Sequence, residues 1–247
     1  MSGLFAFVTT VDFAVALGVM LLGGMVHGLT GFGGALLTMP LLALLFGPVE
    51  ALALSAPAWV LGTLQMLPRA SREADWPALR PILIPAVLAT PLGTLLLFVM
   101  EPDIVRRTIG LFVLAGAVML ATGWTYRGPR GRLPGIVVGS LCGGITGFSG
   151  VGGPPVVVYV MALPDSPAMQ RANIVVIVGF VGVMTLLGVT VGGAYDGTVV
   201  LTALILAVAY VAGTWSGSAG FRAASDAFFR RAALTVLFAS GIAAIVL

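Results

Sequence analysis

A seven-residue pattern occurs twice in this chain, each time inside a long apolar stretch. Gly28-Leu29-Thr30-Gly31-Phe32-Gly33-Gly34 returns as Gly144-Ile145-Thr146-Gly147-Phe148-Ser149-Gly150. Five of the seven positions are identical; Leu is exchanged for Ile and Gly for Ser. In lipid, every backbone N–H and C=O needs a partner inside the protein. A Gly-rich interruption breaks the helical ladder, and each group left unpaired costs several kcal/mol. Such a break survives only where it is buried in protein or lines a polar cavity. Matching breaks in two apolar halves therefore restrict the chain to a duplicated, helical membrane protein. They also point to the binding site of a transporter.

Composition agrees with lipid as the solvent. The 247 residues are 59% hydrophobic and 9% charged, against about 25% charged in a soluble domain. The apolar runs are long and do not alternate with period two, which excludes a β-barrel. The net charge of +3 comes from twelve basic residues, all Arg, none before Arg69. They fall in short loops, as the positive-inside rule expects, and form no basic face for nucleic acid. No basic n-region opens the chain, so no cleaved signal peptide is expected. A single cysteine, Cys142, excludes a disulfide framework, and no Cys/His spacing suggests a metal or another cofactor.

Apolar runs bounded by charge or Pro predict ten segments: 12–30, 34–46, 51–67, 81–100, 107–125, 134–149, 151–163, 172–192, 198–218 and 232–247. The second and seventh are short. At ~1.5 Å per residue they reach about 20 Å, less than the ~30 Å hydrocarbon core. They read as half-helices or re-entrant arms, each directly after a Gly-rich heptad. The predicted fold is an all-α polytopic membrane protein of two inverted five-segment repeats, 1–126 and 127–247. Gly93-Thr94 matches Gly213-Thr214, and Arg106-Arg107 matches Arg230-Arg231, in the same order. Five crossings per half turn the second half upside down. Threading the loops puts Arg69, Arg72, Arg80, Arg127, Arg130, Arg132, Arg171, Arg222, Arg230 and Arg231 on one side and only Arg106 and Arg107 on the other. That bias makes the first side cytoplasmic, with both termini non-cytoplasmic, in a cell (inner) membrane.

The heptads also predict a chemistry. Gly31, Gly33, Gly34, Gly147 and Gly150 permit positive φ and close backbone approach. The half-helices after them start with free N–H groups and a partial positive charge, which suits an anion. No basic residue lies inside any apolar segment, so two helix N-termini would take the role of a buried cation. Gly28, Thr30, Gly31, Phe32, Gly33, Gly34, Gly144, Thr146, Gly147, Phe148, Ser149 and Gly150 are the candidate binding residues, with Thr30, Thr146 and Ser149 as hydroxyl donors. The competing explanation is close helix packing through small residues. Pro40, Pro154 and Pro155 fix or kink the arms that follow. His27, the one histidine, is a candidate proton carrier, or a hydrogen-bonded structural residue. Asn173 and Gln65 touch substrate or bond between helices. No carboxylate pair lies mid-segment, which argues against a cation pump and against acid/base hydrolysis.

Two other functions fit parts of the pattern. Gly147-Phe148-Ser149-Gly150 reads as the G-x-S-G of rhomboid-type intramembrane proteases, with Ser149 as nucleophile and His27 as base. Against it, the matching position in the first heptad is Gly33, so duplication already explains the motif. A non-transporting membrane scaffold is the other, though no long loop or soluble partner domain is present.

The heptads, the twofold repeat and the Arg-rich central linker resemble the TauE/SafE family of membrane permeases, over roughly residues 12–247. The second copy runs on into Val151-Gly152-Gly153-Pro154-Pro155, as second repeats of that family often do. The resemblance implies export of sulfite or an organosulfonate and carries the heptad residues over as the site. The expected partners are a small anionic substrate and the lipid bilayer; a homodimer is left open.

Overall fold

The computed structural model describes residues 11–122 and 126–220. The tenth predicted segment, 232–247, lies outside the described residues, as do Arg222, Arg230, Arg231 and both termini. The described residues form ten helices: α1 (Val11–Thr30), α2 (Gly34–Phe46), α3 (Pro48–Leu64), α4 (Leu67–Glu73), α5 (Trp76–Val99), α6 (Pro102–Thr122), α7 (Arg132–Ser149), α8 (Gly153–Met161), α9 (Pro167–Val191) and α10 (Gly197–Gly220). No strand occurs among the described residues. Four helices, α1, α5, α9 and α10, are long and apolar enough to cross a membrane. A fifth crossing arises if α3 and α4, bent by 60°, are one span.

Helix starts fall earlier than the apolar runs suggest. Charge and Pro bound the runs, yet Pro fits the first turn of a helix, where its missing N–H costs nothing. So α3 begins at Pro48, α6 at Pro102 and α9 at Pro167. Asp75 accepts from the Ala78 N–H to cap α5, and Ser166 accepts from the Met169 N–H to cap α9. The sequence reading missed α4, a polar turn held by an Arg69–Glu73 ion pair of 2.7 Å. The second half-helix, α8, has 9 residues, fewer than the predicted 151–163: it opens at Gly153, after the break, and ends at Met161.

Glycines set the close helix pairs. α1 lies against α10, and α5 against α7. A Cβ on Gly139, Gly143 or Gly147 would come within 2.1, 1.9 and 2.1 Å of the carbonyl oxygens of Ile82, Ala86 and Thr90. On the other pair, Gly24 and Gly28 approach Tyr210 O and Thr214 O, while Gly213 and Gly217 approach Leu21 O and Met25 O. Only Gly allows this approach, and it brings backbones together where apolar burial in lipid cannot. The same contacts fix directions. α1 and α10 run parallel, as do α5, α7 and α9; α9 runs against α3, with Gly179 near Thr63 and Gly182 near Val60.

Outward faces remain apolar: Leu88, Leu92 and Leu95 of α5 and Val208 and Trp215 of α10 are exposed. Water does not tolerate such a belt, and lipid does. The half-helices are buried instead. α2 lies in one core cluster with α1, α3, α6 and α10, and α8 in a second with α5 and α9. Helices apolar on every side belong in a core. The turn between α9 and α10 is stapled by Tyr195, whose hydroxyl donates to Ala53 O at 2.7 Å; burial pushes this phenol's pKa up.

Candidate functional site

The two Gly-rich patterns break the chain in different places. α1 ends at Thr30, Gly31 caps it at φ 83° with its N–H donating to His27 O at 2.7 Å, and Gly33 follows at φ 84°. In the second copy, Gly147 stays helical and α7 continues to Ser149; Gly150, at φ 76°, caps it. The break has therefore slipped by three residues relative to the heptad. Where the first copy has Gly33, the second has Ser149, whose side chain disfavours the left-handed conformation. Its hydroxyl instead donates to Ile145 O at 2.7 Å. The expectation of positive φ at Gly34 and Gly147 is thus corrected. Gly34 opens α2, and Gly147 packs against α5.

Both breaks reach one cavity of about 50 Å³. Phe32 and Gly33 of the first break line it, with Ala35 and Leu36 of the first turn of α2. Gly150 and Val151 of the second break line it, with Gly153 at the start of α8. Thr146, His27, Trp59, Cys142 and Tyr210 complete its polar and polarisable wall, and Val178, Val181 and Gly182 close one side. Among the described residues, no carboxylate borders it. The two half-helix starts thus share one small space, but they differ as donors. α2 opens Gly34-Ala35-Leu36-Leu37, with no side-chain cap at Gly33. α8 opens Gly153-Pro154-Pro155, and Pro has no N–H to offer.

Other sequence candidates sit elsewhere. Gly28 and Gly147 are helix-contact glycines, and nothing lies within 4 Å of a Cβ on Gly144. Thr30 is exposed; its hydroxyl donates to Val26 O at 2.9 Å and accepts from the Phe32 N–H at 3.2 Å, tying off the first break. Phe148 is buried in the core. Asn173 Oδ1 accepts from the Asp75 N–H at 3.0 Å, and its Nδ2 donates to Asp165 Oδ2 at 3.5 Å, so it joins loops. Gln65 Nε2 donates to Val211 O at 3.4 Å. His27 does line the cavity and is buried, with Nε2 3.3 Å from Thr63 Oγ1. Ser149 does not line the cavity, so the structure does not pair it with His27 as a protease would require.

Sequence reasoning missed three residues. Trp59 and Tyr210 looked like ordinary apolar-segment aromatics, and nothing local marks them as cavity-lining. Arg171 reads as a loop residue in the sequence. It lies instead in α9, and its Nη2 donates to Gly28 O at 2.8 Å, reaching the C-terminal end of α1. A cation there complements the helix dipole. The statement that no basic residue enters an apolar helix is corrected accordingly.

The family model of the sulfite exporter TauE/SafE matches residues 16–244. The chain belongs to that family. It is therefore a multi-pass membrane permease of a transporter family, which the four or five apolar spans bear out. No curated protein and no solved structure matches the chain.

Proposed function

We propose that this TauE/SafE-family permease is a secondary transporter that exports a small sulfur oxyanion, with sulfite the leading substrate. The observation that carries the proposal is the shared cavity: two half-helices start at it, and among the described residues no carboxylate borders it. Helix starts favour anions, and an acid-free wall gives a cation nothing to bind. The volume supports a small solute. A water needs roughly 10–15 Å³, so about 50 Å³ suits an ion of four or five heavy atoms better than a long sulfonate. The choice of sulfur rests on the family. Proteoliposomes loaded with sulfite, sulfonates, sulfate, nitrate or acetate test it. Sulfite flux well above protein-free vesicles is expected; movement of only cations or neutral solutes would refute it.

The inverted repeat belongs to the same proposal. One pair of repeat counterparts supports it: α3 and α9 run in opposite senses, with Gly179 near Thr63 and Gly182 near Val60. Exposed Arg72 and Thr198 should then label from opposite faces when each is replaced by Cys in a Cys142→Ser background. Arg72 is expected to label from the cytoplasm. Labelling of both from one face would sink the inversion.

His27 supplies a third expectation. It is the one histidine, and it lines the cavity beside Tyr210, ring centroids 5.8 Å apart. If a proton moves with the anion, His27→Gln keeps sulfite binding and loses accumulation driven by a pH gradient. Unchanged pH-driven uptake in the variant would assign His27 to structure.

A further inference from the structure

We propose that Tyr210 and Trp59 are the side-chain donors that hold the anion, acting with the first turn of α2; this rests on the transport function proposed above. Tyr210 is 0% exposed and Trp59 5%, and both line the cavity. Among the described residues, neither the Tyr210 hydroxyl nor Trp59 Nε1 has a hydrogen-bond partner. Buried Tyr and Trp almost always find one. Two such orphans on one small cavity call for a common acceptor.

Their positions divide the task. A Cβ on Gly34 would come within 2.2 Å of the Tyr210 hydroxyl, so the phenol sits at the start of α2. There the first N–H groups have no intrahelical partner and no side-chain cap. Trp59 reaches the other break: a Cβ on Gly150 would lie 2.7 Å from its Cη2. The phenol thus marks the first break and the benzo edge of the indole the second, with Nε1 on the same ring. An indole N–H only donates, and the α8 start, with Pro154 and Pro155, is short of donors. Side chains make up that deficit. His27 holds the Tyr210 ring from one side while its Nε2 meets Thr63.

The ligand class follows from the donors. An oxyanion with at least two unprotonated oxygens can accept from the phenol, the indole and the α2 backbone together. Hydrogen bonds to an ionised acceptor are shorter and stronger than neutral ones, so a neutral solute of the same size gains less.

Tyr210→Phe removes the hydroxyl and keeps the ring. In purified full-length protein, the expected result is a sulfite Kd raised about tenfold or more, with thermal stability unchanged. Trp59 is read directly in a Trp76→Phe/Trp124→Phe/Trp215→Phe protein, whose remaining indole should show a saturable emission change on sulfite titration. A Tyr210→Phe Kd within twofold of the parent, or a Trp59 emission that ignores saturating sulfite, would overturn the assignment while parental sulfite flux leaves the transport function standing. A parent that neither binds nor moves any of the sulfur anions would remove both.

Discussion

Gly147→Leu is expected to cost the protein its assembly and not merely its transport. The residue looks like a site residue in the sequence, because it aligns with Gly31 of the first heptad. In three dimensions it lies in the α5–α7 contact, where a Cβ would come within 2.1 Å of Thr90 O and 2.8 Å of Thr94 N. Backbone atoms cannot rotate away as a side chain can, so the helices must separate. The same glycine row includes Gly139 and Gly143, so the separation spreads along the pair. A loss of more than about 3 kcal/mol is expected, at the upper end of overpacking costs. Gly144, one helix face away, has nothing within 4 Å of a Cβ. Gly144→Ala should be neutral or slightly stabilising, since Ala is the better helix former. Thermal unfolding of the two variants in detergent, followed by size exclusion, checks this. Equal stability of Gly144→Ala and Gly147→Leu would refute the packing assignment.

That contrast also shows how much was legible in the chain. Apolar run lengths determine which segments are helices, because lipid leaves the backbone no other way to satisfy its groups. The two breaks were legible too, since Gly in a long apolar run needs a reason. Their register was not. A heptad match treats Gly31 and Gly147 as equivalents, but Ser149 blocks the left-handed turn, and the helix runs on to Gly150. The break lies almost a full turn later in the second copy. The cavity wall was equally hidden. Trp59 and Tyr210 come from α3 and α10, and only the packing of those helices around α2 brings them together. Arg171 reads as a loop residue because a charge marks the edge of an apolar run. Ser166 and Pro167 had in fact already started a helix, and the long Arg stem lets its guanidinium reach back to the end of α1.

Gly150 is where strain and volume act on the same site, and its replacement is expected to have the largest effect on transport. Its φ of 76° disfavours any side chain with a Cβ, at roughly 1–2 kcal/mol. A Cβ there would also meet Met39 Cγ at 2.6 Å and Trp59 Cη2 at 2.7 Å. Those atoms belong to side chains that can rotate, whereas the α5–α7 contact sets a Cβ against backbone, so the fold yields more readily here. The cavity cannot yield as easily, because it holds only about 50 Å³. Gly150→Val should therefore leave a monodisperse protein and reduce sulfite flux in proteoliposomes by about 100-fold or more. The two causes can be separated. Asn tolerates the left-handed region better than Val does, so Gly150→Asn relieves most of the strain and keeps the bulk. Gly33→Ala, at φ 84°, carries the strain with milder crowding, its Cβ meeting Val26 Cγ1 at 3.3 Å. If filling the cavity is what stops transport, Gly150→Asn stays inactive and Gly33→Ala keeps most of its flux. An active Gly150→Asn beside an inactive Gly33→Ala would reverse that order. Backbone geometry at the breaks, and not free space between them, would then be what the anion requires.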